Sequence, residues 1–460
     1  MANNDLAVVI LNFNKKDLVL KCIESIFQSD YMDFDVIVVD NASTDGSAEA
    51  VAEKYGNKLT LIINPENVGG SGGFYRGMKH VMERGFYRYL IQFDNDITIK
   101  NDTIYNLRTY MDLNSDVGVC GAAIFQSENP ELTQEMGANI SFDEFTNKPL
   151  FFQVKADELP TEIECDYAPI GSAIIRTSVI AKIGLIESGY FIYWDDMEFC
   201  WRVRNSGYKV RAISSAIVYH DHGFKHLDTT IGVYYFFRNK VNCFARHVND
   251  DEFQQLPEII TKRVYRTMVC NRNNMPIATA YMHALNDALY GIMGKADEYK
   301  IRKKDNADSW CKILKNKSSI LIKYDPVFRR IEELVSLLRK YTSAGIYVHA
   351  KSEKDITFLS CLMLGNAMII TDDSSDEWNV EISVCDHVLD ISYEDIIFVE
   401  GQNLIYDNYG DTCSDENDFR AYMNYFESYD VFRAMMYNFI TDKLKEIRNK
   451  WKNHNEGMMV

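Results

Sequence analysis

Leu6–Asn12 (LAVVILN) is an unbroken apolar run that ends on a polar side chain. A strand buried on both faces carries such a run, whereas a strand with one wet face alternates. The pattern recurs. Residues 34–40 (FDVIVVD) form a second such strand, 59–64 a third and 87–93 a fourth. Between them, residues 17–28 carry Leu18, Cys22, Ile23 and Ile26 at helical spacing. Ser47–Tyr55 forms a short helix, and 69–73 is a glycine-rich loop followed by a helix over 74–84. This alternation predicts an α/β fold: a Rossmann-like, mostly parallel sheet with helices on both faces. Ligands of such sheets bind beyond the carboxyl ends of the strands. Asn12, Asp40, Asn64 and Asp94 all fall at those ends, on one edge.

With 460 residues, 47% of them hydrophobic, the chain can fill two or three domains. Its net charge of −18 argues against nucleic acid as a partner. A polyanionic substrate stays open, because a metal can supply local positive charge. Ten cysteines are scattered without a C-x-x-C, so no zinc or thioredoxin-type site is indicated. They read as small buried hydrophobes of a reducing compartment. The N-terminus lacks the basic segment and longer apolar stretch of a signal peptide. No apolar run approaches the roughly 18 residues a membrane-spanning helix needs. A cytoplasmic protein is expected, soluble or peripheral at the inner face of the cell membrane.

Residues 98–230 mix helical and strand patterns, and 231–295 read as helical. The basic, polar stretch 299–319 is the best linker. A second alternation follows: strands at 320–324, 346–349 and 368–371, helices at 327–340 and 355–364, and closing helices at 418–429 and 431–450. The division expected is 1–230, a helical extension over 231–298, the linker, and an accessory α/β and helical domain over 320–460.

Chemistry concentrates in three places. Residues 90–97 (LIQFDNDI) end a strand with Asp94 and Asp96 one residue apart. Both carboxylates can close on one hard divalent cation, Mg²⁺ or Mn²⁺, of the kind that bridges a diphosphate. Alone, such a pair is more often a turn or a helix cap. Residues 38–47 (VVDNASTDGS) put Asp40 at a strand end before a polar turn, where it can accept hydrogen bonds from a nucleobase or ribose. Residues 67–77 (NVGGSGGFYRG) offer backbone N–H groups at a helix start, with Arg76 beside them. The glycine spacing is not G-x-G-x-x-G after the first strand, which argues against a dinucleotide enzyme.

Taken in order, VILNFN, VVDNASTDGS, NVGGSGGFYRG and FDND are similar to glycosyltransferase family 2, whose fold is the nucleotide-binding GT-A fold. Residues 168–176 (APIGSAIIR) resemble the family's acceptor-side strand, and 191–202 (FIYWDDMEFCWR) the segment carrying its base. Residues 218–223 (VYHDHG) match the place where a histidine completes the metal site. Residues 234–239 (YYFFRN) are similar to a segment of the rhamnosyltransferase and galactofuranosyltransferase branch. The resemblance covers roughly residues 6–295.

The resemblance implies an inverting, metal-dependent transfer from a nucleotide-diphosphate sugar to a hydroxyl of a growing polysaccharide or lipid-linked glycan. dTDP-rhamnose and UDP-galactofuranose are the donors it suggests. It assigns Asp94, Asp96 and His220 to Mn²⁺ or Mg²⁺, with His222 the alternative histidine. Asp196 becomes the base, with Asp195 beside it to orient the acceptor or the base. Asn12, Asp40, Asn67, Gly70, Gly73, Arg76, Asp94 and Asn95 are expected on the donor side, and Trp194 and Gly171 on the acceptor side. A nucleotide-sugar-binding or scaffold subunit without catalysis is the alternative. The aromatic stretch 234–237 fits either a core-packed helix or one lying on a membrane surface. The basic tail around Trp451 fits a solvated helix or contact with anionic lipid. The accessory region is expected to contact the catalytic domain or a partner subunit, and a homo-oligomer formed through it is one such arrangement.

Overall fold

The computed structural model describes residues 4–221, 230–270, 275–301, 314, 316–324, 331–362, 364–371, 378–385, 396–399, 404–407 and 429–458. The expected helix at 418–429, except its last residue, and most of the expected linker lie outside them.

The first part of the chain runs β1 (Leu6–Asn12), α1 (Lys16–Phe27), β2 (Asp35–Asp40), α2 (Ser47–Tyr55), β3 (Thr60–Ile63), α3 (Gly69–Arg84), β4 (Tyr89–Asp94) and β5 (Ile97–Ile99). It continues with α4 (Thr103–Leu113), β6 (Val117–Gln126), β7 (Thr133–Glu135), β8 (Ala138–Ser141), β9 (Thr146–Pro149), β10 (Glu162–Glu164), β11 (Ser172–Arg176), α5 (Thr177–Ile183), α6 (Asp195–Asn205) and β12 (Lys209–His220). The sheet order is β10-β12-β6-β11-β4-β1-β2-β3, with β5 added to β12 and β7 to β6. Strands β3, β2, β1 and β4 are mutually parallel, and β11 enters antiparallel between β4 and β6. The apolar run of β1 is explained by its two covers. Ala7, Val9 and Leu11 pack with Phe74 and Met78 of α3, while Leu6, Val8 and Ile10 pack with Val19, Cys22 and Ile23 of α1. Burying each Val, Leu or Ile contributes on the order of 2 kcal/mol.

Helix α3 starts at Gly69, not at 74 as its glycines suggested. These glycines let the helix lie directly on β1. A Cβ on Gly73 would stand 2.1 Å from Leu11 Cδ1, and one on Gly77 2.4 Å from Val9 Cγ1. The expected donor contact of Gly73 is therefore replaced by helix–strand packing.

A helical layer follows: α7 (Thr230–His247), α8 (Asp250–Cys270), α9 (Met275–Tyr290) and α10 (Glu298–Ile301). Tyr234, Tyr235 and Phe237 are buried in the main core, so the aromatic stretch is core packing. Among the described residues no helix is long and apolar enough to cross a membrane.

The second alternation forms its own sheet from β13 (Ser319–Lys323), α11 (Ile331–Tyr341), β14 (Gly345–His349), α12 (Glu353–Ser360), β15 (Met368–Ile370), β16 (Val380–Cys385), β17 (Ile396–Val399) and β18 (Leu404–Asp407). Its order is β15-β14-β13-β16-β17-β18, a doubly wound arrangement with β18 antiparallel. The last helix, α13 (Tyr429–Met458), leaves this unit. It packs on α7, α8 and α9. Its Phe432, Met436, Ile440, Leu444 and Ile447 form one apolar stripe in the main core. Arg448 pairs with Asp250 at 2.6 Å, and Arg433 with Glu258 at 2.7 Å. The expected accessory domain over 320–460 thus gives up its final helix to the helical layer.

Gly77→Val should destabilise the protein by about 1–3 kcal/mol, because its branched side chain must displace Val9 in a close-packed layer. Urea denaturation checks this, and an unchanged midpoint would contradict the packing of α3 on β1.

Candidate active site

Asp94 ends β4, and Asp96 closes the two-residue turn into β5. β5 pairs antiparallel with the end of β12, with Ile97 opposite His220. That register sets His220 Nε2 3.4 Å from Asp96 Oδ1. The other ring nitrogen, Nδ1, is 2.9 Å from Gln134 Oε1, an arrangement that leaves Nε2 for the acidic site. Lys15 Nζ donates to Asp96 Oδ2 at 2.6 Å. Asp94 lies against Gly171, where a Cβ would stand 2.2 Å from Asp94 Oδ2. Gly171 is thus a steric requirement of the Asp94 carboxylate. His222 lies outside the described residues.

The electrostatics of this cluster are divided. Burial, reinforced by the charge of Asp96, pushes Asp94 up to about 7. Burial acts on Asp96 too, but His220 and Lys15 outweigh it and hold its carboxyl well below the usual range. Burial opposes charging of His220, yet the Asp96 carboxylate raises its pKa. Among the described residues no three His, Cys, Asp or Glu side chains stand close enough to hold an ion as they are. The donor set nevertheless suits a hard divalent cation: two carboxylates and an imidazole at one strand edge, with a lysine ammonium already neutralising one of them.

On the donor side, Asn12 Nδ2 donates to Asp40 Oδ2 at 2.8 Å, and Ser43 N–H to Asp40 Oδ1 at 2.8 Å. Asn95 Nδ2 donates to Asn12 Oδ1 at 2.7 Å. Asp40 is buried; its Oδ1 braces the following turn through Ser43, and its Oδ2 ties it to Asn12 at the end of β1. Asn41 is a further hub that the sequence did not single out. It donates to Asn67 Oδ1 and to Gly69 O at 3.0 Å each, and accepts from Val68 N–H at 3.2 Å. Asn67 thus braces the start of α3. Arg76 is exposed on α3 and lines no part of the cavity described below.

On the opposite wall, Phe191, Tyr193 and Trp194 have φ of 68°, 66° and 68°, left-handed values that cost non-glycine residues about 1–2 kcal/mol each. Helix α6 begins immediately afterwards, with Asp195 and Asp196 in its first turn. Asp196 Oδ1 accepts from Met197 N–H at 2.8 Å. Burial raises the pKa of both carboxyls, and the charge of Asp195 raises that of Asp196 further. Once ionised, such a carboxylate binds a proton strongly, as a general base must. The ring of Trp194, expected to offer a face to a sugar, is fully buried between Phe236 and Phe244 at centroid distances of 5.6 and 5.5 Å, although the residue also borders the cavity described below. Tyr193 beside it is only partly buried.

A cavity of about 670 Å³ joins the two walls. Lys15, Gly70, Asp94, Asn95, Asp96 and His220 line one side, and Gly171, Tyr193, Asp195 and Asp196 the other. A second cavity of about 730 Å³, between residues 183–189 and α13, holds none of these aspartates. Lys15 and Gln134 were not foreseen from the sequence, since no spacing rule links them to Asp96 or His220.

Below Asp196, Glu198 is buried and bonded to Arg202 Nε at 2.9 Å and to His247 Nε2 at 3.0 Å. Burial favours its neutral form, but Arg202 and His247 hold its carboxyl below its ordinary 4.5. A depressed carboxyl adds stability above its unfolded pKa, and that stability is lost as the pH falls toward the folded value. Glu198→Gln should cost about 3 kcal/mol at neutral pH, because it leaves Arg202 buried without its counter-charge. It should also flatten the loss of stability below about pH 4.5. Urea titrations at several pH values check both, and an unchanged acid limb would contradict the pairing.

Residues 7–181 match the family described as Glycosyl transferase family 2. A low-salt glycan biosynthesis hexosyltransferase of Haloferax volcanii is 21% identical over 299 residues, 62% of this chain and 91% of that protein. A dTDP-rhamnosyl transferase of Shigella flexneri is 23% identical over 305 residues, 64% of this chain and 98% of that protein. A galactofuranosyltransferase of Mycobacterium tuberculosis is 23% identical over 215 residues, 43% of this chain and 33% of that protein. The family match runs from β1 into α5, so this first part of the chain carries a glycosyltransferase family 2 domain, built on a GT-A-like sheet.

Proposed function

We propose that this glycosyltransferase inverts the anomeric centre of a sugar as it moves it from a nucleotide-diphosphate donor to an acceptor hydroxyl. The donor is dTDP-rhamnose or UDP-galactofuranose, and the acceptor a growing cell-surface polysaccharide or lipid-linked glycan. The carrying observation is the shared cavity, with Asp94, Asp96 and His220 on one wall and Asp195 and Asp196 on the other. Two separated acidic groups suit a single displacement, one near the leaving diphosphate and one near the incoming hydroxyl. The choice of donors rests on the two relatives named for rhamnosyl and galactofuranosyl transfer.

Asp196 takes the proton of the acceptor hydroxyl, and Asp195 keeps the base oriented. Asp94, Asp96 and His220 would hold Mn²⁺ or Mg²⁺, which supplies positive charge against the diphosphate. Gly70 and Asn95 meet the donor from the sheet edge. Asn12, Asp40 and Asn67 fix the turns that carry them. Tyr193 and Gly171 border the acceptor side.

Turnover of a donor panel, with the product's anomeric configuration read by NMR, tests this directly. Asp196→Asn should lower kcat by about 10²- to 10⁴-fold with donor binding retained. EDTA should abolish transfer, and added Mn²⁺ or Mg²⁺ should restore it. A retained configuration, or full activity of Asp196→Asn, would sink the mechanism. Donor binding without transfer to any acceptor would instead identify a nucleotide-sugar-binding scaffold subunit.

A further inference from the structure

The loop that delivers Asp195 and Asp196 is gripped from behind by two buried side chains of α7. Asn239 Nδ2 lies 2.9 Å from Tyr190 O, 2.8 Å from Ile192 O and 2.9 Å from Tyr193 O. An amide nitrogen has two hydrogens, so at least one is shared between carbonyls. An extended chain turns successive carbonyls to opposite sides. Here three converge on one nitrogen, which the left-handed turns at Phe191 and Tyr193 permit. Arg238 fixes the orientation of that amide. Its Nε–H donates to Asn239 Oδ1 at 3.0 Å, which turns Nδ2 toward the loop. Its Nη2 reaches Tyr190 O at 3.1 Å and its Nη1 reaches Gly294 O at 2.8 Å. Both side chains are fully buried, and neither lines the cavity.

The loop has a second attachment on its other side. Phe191 O accepts from Ser71 N–H at 3.1 Å, in the first turn of α3. That turn is also held by Asn41, through Gly69 O and Val68 N–H. Loss of the α7 grip therefore frees the loop while the donor-side turn keeps its own anchor.

We propose that Asn239, braced by Arg238, is a positioning residue for transfer, holding the backbone so that Asp195 and Asp196 face the cavity. This rests on the reading of Asp196 as the base. Three strained residues lie directly before that pair, and unbraced they would relax toward ordinary backbone angles and carry the carboxylates with them.

The test is steady-state kinetics of Asn239→Ala, Asn239→Ser and Asp196→Asn with the donor the wild-type enzyme uses, alongside calorimetric binding of the free nucleotide. Displacement of a reacting group by about 1 Å costs on the order of 10²-fold, so kcat of Asn239→Ala should fall about 10- to 100-fold. Donor KM and nucleotide Kd should stay within about twofold of wild type, because the lost interaction serves only the transition state. Asn239→Ser, which keeps one donor, should recover part of kcat. If Asn239→Ala fails to fold, the same kcat-against-KM split is read in Asn239→Ser. Wild-type kcat in both variants would overturn the proposal. So would a fall in nucleotide affinity that matches the fall in kcat, since that is the signature of general loosening. Full activity of Asp196→Asn would remove the base assignment alone, and the two ideas fall separately.

Discussion

β5 reaches only the last residues of β12, yet this short antiparallel pairing decides where the acidic chemistry sits. Ile97 faces His220, Thr98 faces Tyr219 and Ile99 faces Val218. Side chains alternate along a strand, so a slip of one residue would turn His220 to the opposite face and away from Asp96. The pairing is enforced from outside the site. β12 runs beside β6 along most of its length, and Asp221 N–H closes the end on Asp96 O at 2.9 Å. Gln134, Lys15 and Gly171 then act on a geometry already fixed by the sheet.

The charge of the cavity follows from this placement. Among the described residues, four aspartates face one cavity in a chain of net charge −18, with Lys15 and His220 on its wall. A diphosphate entering alone would meet repulsion, which the cation of the proposed mechanism would offset. Burial and the charge of Asp96 raise the pKa of Asp94, whereas His220 and Lys15 overcome burial at Asp96 and depress its pKa.

How much of this was legible follows from physics. β1 and β2 are plain in the sequence because both of their faces are buried, which leaves unbroken apolar runs. The pair Asp94 and Asp96 is visible because it follows such a run. α3 is misread at its start because glycines that serve close packing on β1 look, as letters, like a loop. Trp194 is ambiguous because a flat apolar ring suits both a sugar and a core, and only the surrounding Phe236 and Phe244 decide. Lys15 and Gln134 carry no local signal, and Asn41 and Asn239 sit inside quoted motifs that do not announce their bracing role. Each acts through hydrogen bonds to partners brought near by the fold, so no spacing rule could find them.

The return of α13 to the helical layer changes what the second sheet is in topological terms. It is an insertion, entered after α10 and left before α13, with both ends of its chain fixed to the catalytic part. A unit tied at two points samples less space than a tail tied at one, which raises its effective concentration near its host. The arrangement also separates shortening the protein from removing that unit. A truncation ahead of the sheet takes away α13 and opens the core lined by Phe432, Ile440 and Leu444, whereas excision between α10 and α13 spares it.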